Sequence, residues 1–137
     1  MKGTTLLNIS HHRRITIGFA YSSFPLDHHP GWTADSWGYH GDDRKCYHNS
    51  NNHIYGPTKF KAGDVIGCCL DFGIGQVFYT LNGKNLGVAF SPEWYPYERQ
   101  NLFPCIGLHS VGERVRINLG KERFVFNILE YVKGGSR

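Results

Sequence analysis

The sequence predicts an all-β fold, an antiparallel sandwich or barrel, and three observations lead there. Short runs rich in Val, Ile, Phe and Tyr recur along the chain with turn signals between them, and helical periodicity is almost absent. The 17 glycines and 6 prolines fall between those runs as punctuation. Asn82-Gly83 stands between two apolar runs and offers the residue pair that accepts positive φ in a two-residue turn.

In chain order, Ile15 to Ala20 alternates and is β-branched, so it reads as a strand. Segments Tyr21 to Thr33 and Arg44 to Lys61 carry Pro, Asn, His and Gly with little alternation and read as long loops. Asp64 to Leu70 is a short Val, Ile and Cys run, and Gln76 to Phe90 folds as a hairpin about Asn82-Gly83. Leu102 to Leu108 is a further strand; Glu113 to Leu119 alternates charged and apolar residues, as a strand with one wet face does. Phe124 and Phe126 add a short strand, and Asn127 to Val132 a closing turn of helix before a Gly-Gly-Ser tail. The core expected between the sheets is Phe19, Trp37, Val65, Ile66, Phe78, Leu86, Phe90, Phe103, Ile106, Val115, Ile117 and Phe126. Residues 11–130 form the domain body, with 1–10 a segment of uncertain origin and 131–137 a flexible tail.

A chain of 137 residues is one domain on size alone. It buries roughly 68% of its unfolded surface, enough for a core without staples. The aromatic fraction of 15% argues against disorder. Apolar stretches are short and no signal-like block opens the chain, so neither a membrane span nor a secretion signal is expected. The formal charge of +4 is modest, and the tightest basic cluster, His11-His12-Arg13-Arg14, lacks interleaved aromatics, which argues against nucleic acid. Cys46, Cys68, Cys69 and Cys105 show no CxxC spacing, so free buried thiols in a reducing cytoplasm or nucleus are expected rather than zinc or disulfides.

Trp37 to Asp43 packs two carboxylates, an imidazole and two aromatics into seven residues. A hydrolase would pair Cys46, or Ser36, with His40, oriented by Asp42 or Asp43; a glycan-binding sandwich would use Asp42, Asp43 and a stacking tyrosine. The sequence shows no nucleophile elbow and no oxyanion glycine pattern, so no catalytic residue is assigned. His11-His12 and His28-His29 are adjacent pairs whose side chains diverge on extended backbone, so no three convergent metal ligands can be named and neither metal nor cofactor is expected. Gly73 and Gly75 precede no helix and make no phosphate cradle.

These motifs also occur in a family-like order: Pro30-Gly31-Trp32, Ser36-Trp37-Gly38-Tyr39-His40-Gly41-Asp42-Asp43, Tyr55-Gly56-Pro57, Gly63-Asp64-Val65-Ile66-Gly67-Cys68-Cys69, Phe78-Tyr79-Thr80 with Asn82-Gly83, Leu86-Gly87-Val88-Ala89-Phe90, then Asn118-Leu119-Gly120 and Phe124-Val125-Phe126. From about Arg13 to Ile128 the chain resembles the SPRY domain and, within it, the Ran-binding protein M branch. The resemblance implies a bent antiparallel two-sheet sandwich of the SPRY/B30.2 type, no catalysis, and recognition of a protein or peptide segment by loops at one end. Relatives of this branch are scaffold subunits of the GID/CTLH ubiquitin ligase, cytoplasmic and nuclear, with LisH, CTLH and CRA helical motifs after the SPRY domain; those motifs do not occur here. The family's opening strands are missing or replaced by Met1 to Ser10, which implies a fragment with an unpartnered sheet edge. By the same resemblance Tyr47 and His48 supply one wall of the partner site, His109, Ser110 and Val111 a second, and Arg13 and Arg14 flank it. The oligomeric state is not legible.

Overall fold

A computed structural model describes residues 2–11, 15–96, 101–108, 114–119 and 131, with 2–11 and 114 as backbone only. The described residues form ten strands: β1 (Lys2–His11), β2 (Thr16–Tyr21), β3 (Ser36–His40), β4 (Lys45–His48), β5 (Asn51–Ile54), β6 (Val65–Asp71), β7 (Gln76–Leu81), β8 (Lys84–Val88), β9 (Leu102–Gly107) and β10 (Arg114–Asn118). Their pairings are antiparallel and build two five-stranded sheets, ordered β10-β1-β6-β7-β8 and β5-β4-β3-β2-β9. A single 3-10 turn among the described residues, Pro92–Trp94, links β8 to β9. No helix among them is long and apolar enough to cross a membrane.

Alternation along the strands sorts the side chains by face. Ile17, Phe19, Trp37, Tyr39 and Cys46 of one sheet meet Ile66, Cys68, Leu70, Val77 and Tyr79 of the other in the main core, which Phe60, Ala89 and Phe90 complete. Cys69, next to Cys68, turns to the opposite face and packs with Phe78 and Tyr131 in a smaller cluster. Tyr131 is tied there by its hydroxyl, which donates to the fully buried carboxylate of Asp71 at 2.9 Å.

Several expectations change. Phe78 is buried, but in that outer cluster rather than between the sheets. Phe103 is 52% exposed, because it lies three residues from Ile106 on β9 and an odd spacing cannot share a strand face; Leu102 and Ile106 hold the core side. Ile117, also 52% exposed, stands on β10, which ends its sheet, while Val115 packs inward. Val65 is only half-buried at the start of β6, and Phe126 lies outside the described residues together with the strand expected there. The closing helical turn does too, except Tyr131.

The loop expected over Arg44 to Lys61 contains the β4–β5 hairpin. Its turn residues Asn49 and Ser50 both take positive φ, 49° and 64°, the same solution as Asn82 and Gly83 at 50° and 86° in the expected β7–β8 hairpin. Residues 2–11, expected to leave a bare edge, instead run down the middle of a sheet between β10 and β6, with Leu6 opposite Asn118 on one side and Gly67 on the other.

Candidate functional site

The outer face of the β2–β3–β9 region is paved with glycine, which lets the loop between β2 and β3 lie flat on the sheet. A β-carbon at Gly38 would stand 2.3 Å from the Pro30 carbonyl oxygen, closer than any packing tolerates. Gly31 turns the loop at φ +99° with the Tyr47 β-carbon against it. Gly107, the last residue of β9, lies against His29 and Pro30. The loop is then pinned by hydrogen bonds: the Gly31 N–H donates to Ser36 Oγ at 2.8 Å, and the Ser50 N–H donates to the Gly31 carbonyl at 3.0 Å. Ser50 Oγ donates to the Trp32 carbonyl at 2.9 Å. A loop held from β3 and from the β4–β5 turn presents its side chains in fixed positions.

Four rings line this surface. His40, at the end of β3, packs against Tyr47 of β4 with ring centroids 4.1 Å apart, and against Trp32 at 6.2 Å. His29 meets Trp32 at 5.1 Å. Trp32 is the half-open member, 47% exposed. His40 is buried and its Nε2–H donates to the Pro30 carbonyl at 2.8 Å. Burial pulls its pKa below the ordinary imidazole value, so the ring is neutral at physiological pH.

Tyr47 does not present its hydroxyl to water. The hydroxyl donates to Asp43, whose other oxygen accepts the Lys45 N–H at 3.0 Å, so the carboxylate closes the turn on itself. Burial first, and the hydrogen bond to Asp43 second, push the Tyr47 phenol up. His48, the next residue, projects to the opposite face of β4, as strand alternation requires. There it lies flat on Trp37 at 4.5 Å and 6°, with Nδ1–H donating to the Ser36 carbonyl at 3.0 Å. Burial lowers the His48 pKa. The expected pair Tyr47 and His48 therefore splits: Tyr47 belongs to the loop surface and His48 to the edge of the core. His109, Ser110, Val111, Arg13 and Arg14 lie outside the described residues.

The sequence did not single out Trp32 or the Asp43–Tyr47 bond as parts of this surface. Pro30-Gly31-Trp32 was the available signal for the first. The second follows from the tight turn at Arg44, φ +65°, which folds residue 43 back over residue 47.

The hydrolase pair is not assembled. Cys46 faces the core, fully buried beside Tyr39, and burial lifts its thiol well above the ordinary value. His40 faces the other way, onto Pro30. A thiol nucleophile needs a lowered pKa and a base in reach, and Cys46 has neither. Asp43 and the tyrosine of the glycan reading are engaged with each other. The absence of three convergent metal-type ligands does not survive: a ring nitrogen of His40 and a carboxylate oxygen from each of Asp42 and Asp43 all lie within 4.8 Å of one another.

A two-sheet antiparallel sandwich whose loops build a fixed aromatic surface on one sheet has the architecture of a recognition domain. The chain belongs to the SPRY domain family, whose model matches residues 7–122. It is 45% identical over 112 residues to a Ran-binding proteins 9/10 homolog of Drosophila melanogaster, covering 81% of this chain and 11% of that protein. It is 42% identical over 118 residues to human Ran-binding protein 9, covering 85% and 15%. SPRY domain-containing protein 3 of Pongo abelii is 38% identical, with 79% and 25% covered. Among solved structures, a human SPRY domain superposes with TM-score 0.73 at 35% identity, covering 88% of this chain and 78% of the other. The SPRY domain of human HERC1 gives 0.68 at 25% identity, covering 88% and 76%. The chain thus spans between about a tenth and a quarter of the length of these curated relatives. SPRY domains are protein-interaction modules, and these kinships point to a non-enzymatic one.

Proposed function

We infer that this domain recognises a short segment of a partner protein through the loop surface around Trp32 and Tyr47. The observation that carries this is Trp32: an indole 47% exposed on a loop that three hydrogen bonds hold in place. Exposed, immobilised aromatics are the usual anchors of protein interfaces, since they bury much area at little entropic cost. The family resemblance assigns His109, Ser110, Val111, Arg13 and Arg14 to the same proposed surface. The resemblance to the Ran-binding protein M branch extends the proposal to a scaffold or adaptor role in a ubiquitin ligase-type complex, in the cytoplasm, the nucleus or both.

Affinity capture with the wild-type domain beside Trp32→Ala and Tyr47→Ala, followed by mass spectrometry, identifies the partner. Calorimetry on the captured segment then measures the anchor. Trp32→Ala is expected to cost about 2 kcal/mol or more of binding, the scale of an aromatic hot spot, with the domain still folded by circular dichroism. Unchanged affinity in both variants moves the binding surface elsewhere on the sandwich.

A further inference from the structure

We propose that His40, Asp42 and Asp43 form a binding site for a first-row divalent cation, of the zinc or manganese class. One imidazole nitrogen and two carboxylate oxygens are a donor set that such ions accept, and the remaining coordination positions fall to water or to a partner's oxygen. The proposal stands independently of the protein-recognition reading.

The geometry is half prepared. His40 is 5% exposed and sits at the end of β3 with Nε2–H committed to the Pro30 carbonyl at 2.8 Å. A neutral ring in that tautomer carries its lone pair on Nδ1, and among the described residues no hydrogen bond to Nδ1 competes for it. A backbone carbonyl on the far nitrogen is the arrangement that orients metal-bound histidines. Asp43 is oriented in the same manner, by the Tyr47 hydroxyl on one oxygen and the Lys45 N–H on the other, each oxygen keeping a second lone pair. Asp42 is exposed. A ring nitrogen of His40 and a carboxylate oxygen from each aspartate lie within 4.8 Å of one another, whereas ligands around zinc at about 2.1 Å stand about 3.4 Å apart. Closing the site therefore takes movements of about 1 Å, to which the exposed Asp42 side chain contributes.

Zinc titrated into the domain by calorimetry tests this, with circular dichroism to confirm the fold of each variant. Wild type is expected to take up one equivalent saturably. Asp42→Asn, at an exposed position, is expected to weaken it tenfold or more, and Tyr47→Phe, which removes the hydroxyl that orients Asp43, by about 10- to 100-fold. In nitrogen-detected spectra the first equivalent is expected to shift the His40 ring signals before those of the other histidines. No saturable uptake, equal affinity in wild type and Asp42→Asn, or first shifts at other histidines with His40 unmoved overturns the proposal.

Discussion

Trp37→Ala tests the packing that holds the loop surface and the core together. Trp37 is 2% exposed and lies in a stack of three rings, with Phe19 at 5.0 Å and 10° on one side and His48 at 4.5 Å and 6° on the other. Tyr21 meets it edge-on at 5.4 Å, and its indole N–H donates to the Trp94 carbonyl at 2.6 Å. Truncation at Cβ returns about 150 Å² or more of apolar surface, worth about 4 kcal/mol at 25 cal/mol per Å². Leaving the Trp94 carbonyl unpaired adds about 1 kcal/mol, and relaxation of the stack returns part of that cost. The expected loss is therefore about 3 to 5 kcal/mol, the range measured for large aromatic truncations in cores. Urea denaturation followed by the emission of Trp32 and Trp94 reads it, with the slope unchanged if only stability has moved. Trp37→Phe separates the contributions: the ring stack persists, the hydrogen bond goes, and about 1 to 2 kcal/mol is lost. A loss below about 1 kcal/mol for Trp37→Ala would refute the packing argument.

Gly38→Ala places a methyl 2.3 Å from the Pro30 carbonyl, so the loop must lift; a loss of about 1 to 3 kcal/mol and a red-shifted Trp32 emission are expected, and an unperturbed Trp32 signal contradicts the close approach. His40 and His48 both have folded pKa values pulled below the unfolded value of about 6.5 by burial, so the unfolded chain binds protons first. Stability from these two is complete above about pH 6.5 and falls as pH drops below it, and His48→Gln is expected to flatten part of that slope in denaturation midpoints measured across pH 5 to 7. Burial lifts the thiols of Cys46 and Cys68 well above the ordinary value and that of Cys105 to about 11, so a thiol reagent at neutral pH is expected to label the native domain slowly and the urea-unfolded chain fast. Rapid native labelling of Cys46 would show an activated thiolate that the core position forbids.

The strands legible in the sequence are those whose own side chains alternate or are β-branched: β2, β6, β7, β9 and β10 lie within two residues of their expected bounds. The Asn82-Gly83 turn is legible for a local reason as well, since two consecutive residues must accept positive φ there. The β4–β5 hairpin was illegible because Lys45 to Ile54 is nearly all polar. It becomes strand only through pairing with β3, and Cys46 is its one residue in the core. Residues 2–11 carry no clean period of two, and their place is decided by β6 and β10, more than fifty residues away along the chain. The same division holds at the site. At the sequence level the family resemblance pointed to Tyr47 after the Trp37-Gly38 motif, and strand alternation requires the neighbouring Cys68 and Cys69 to face opposite ways. Only the tertiary structure brought Trp32 and Tyr47 each onto His40, turned His48 onto Trp37, and gathered His40, Asp42 and Asp43 within 4.8 Å. Those contacts depend on a loop lying on a glycine-paved sheet and on a turn at positive φ, neither of which has a hydrophobic period to announce it.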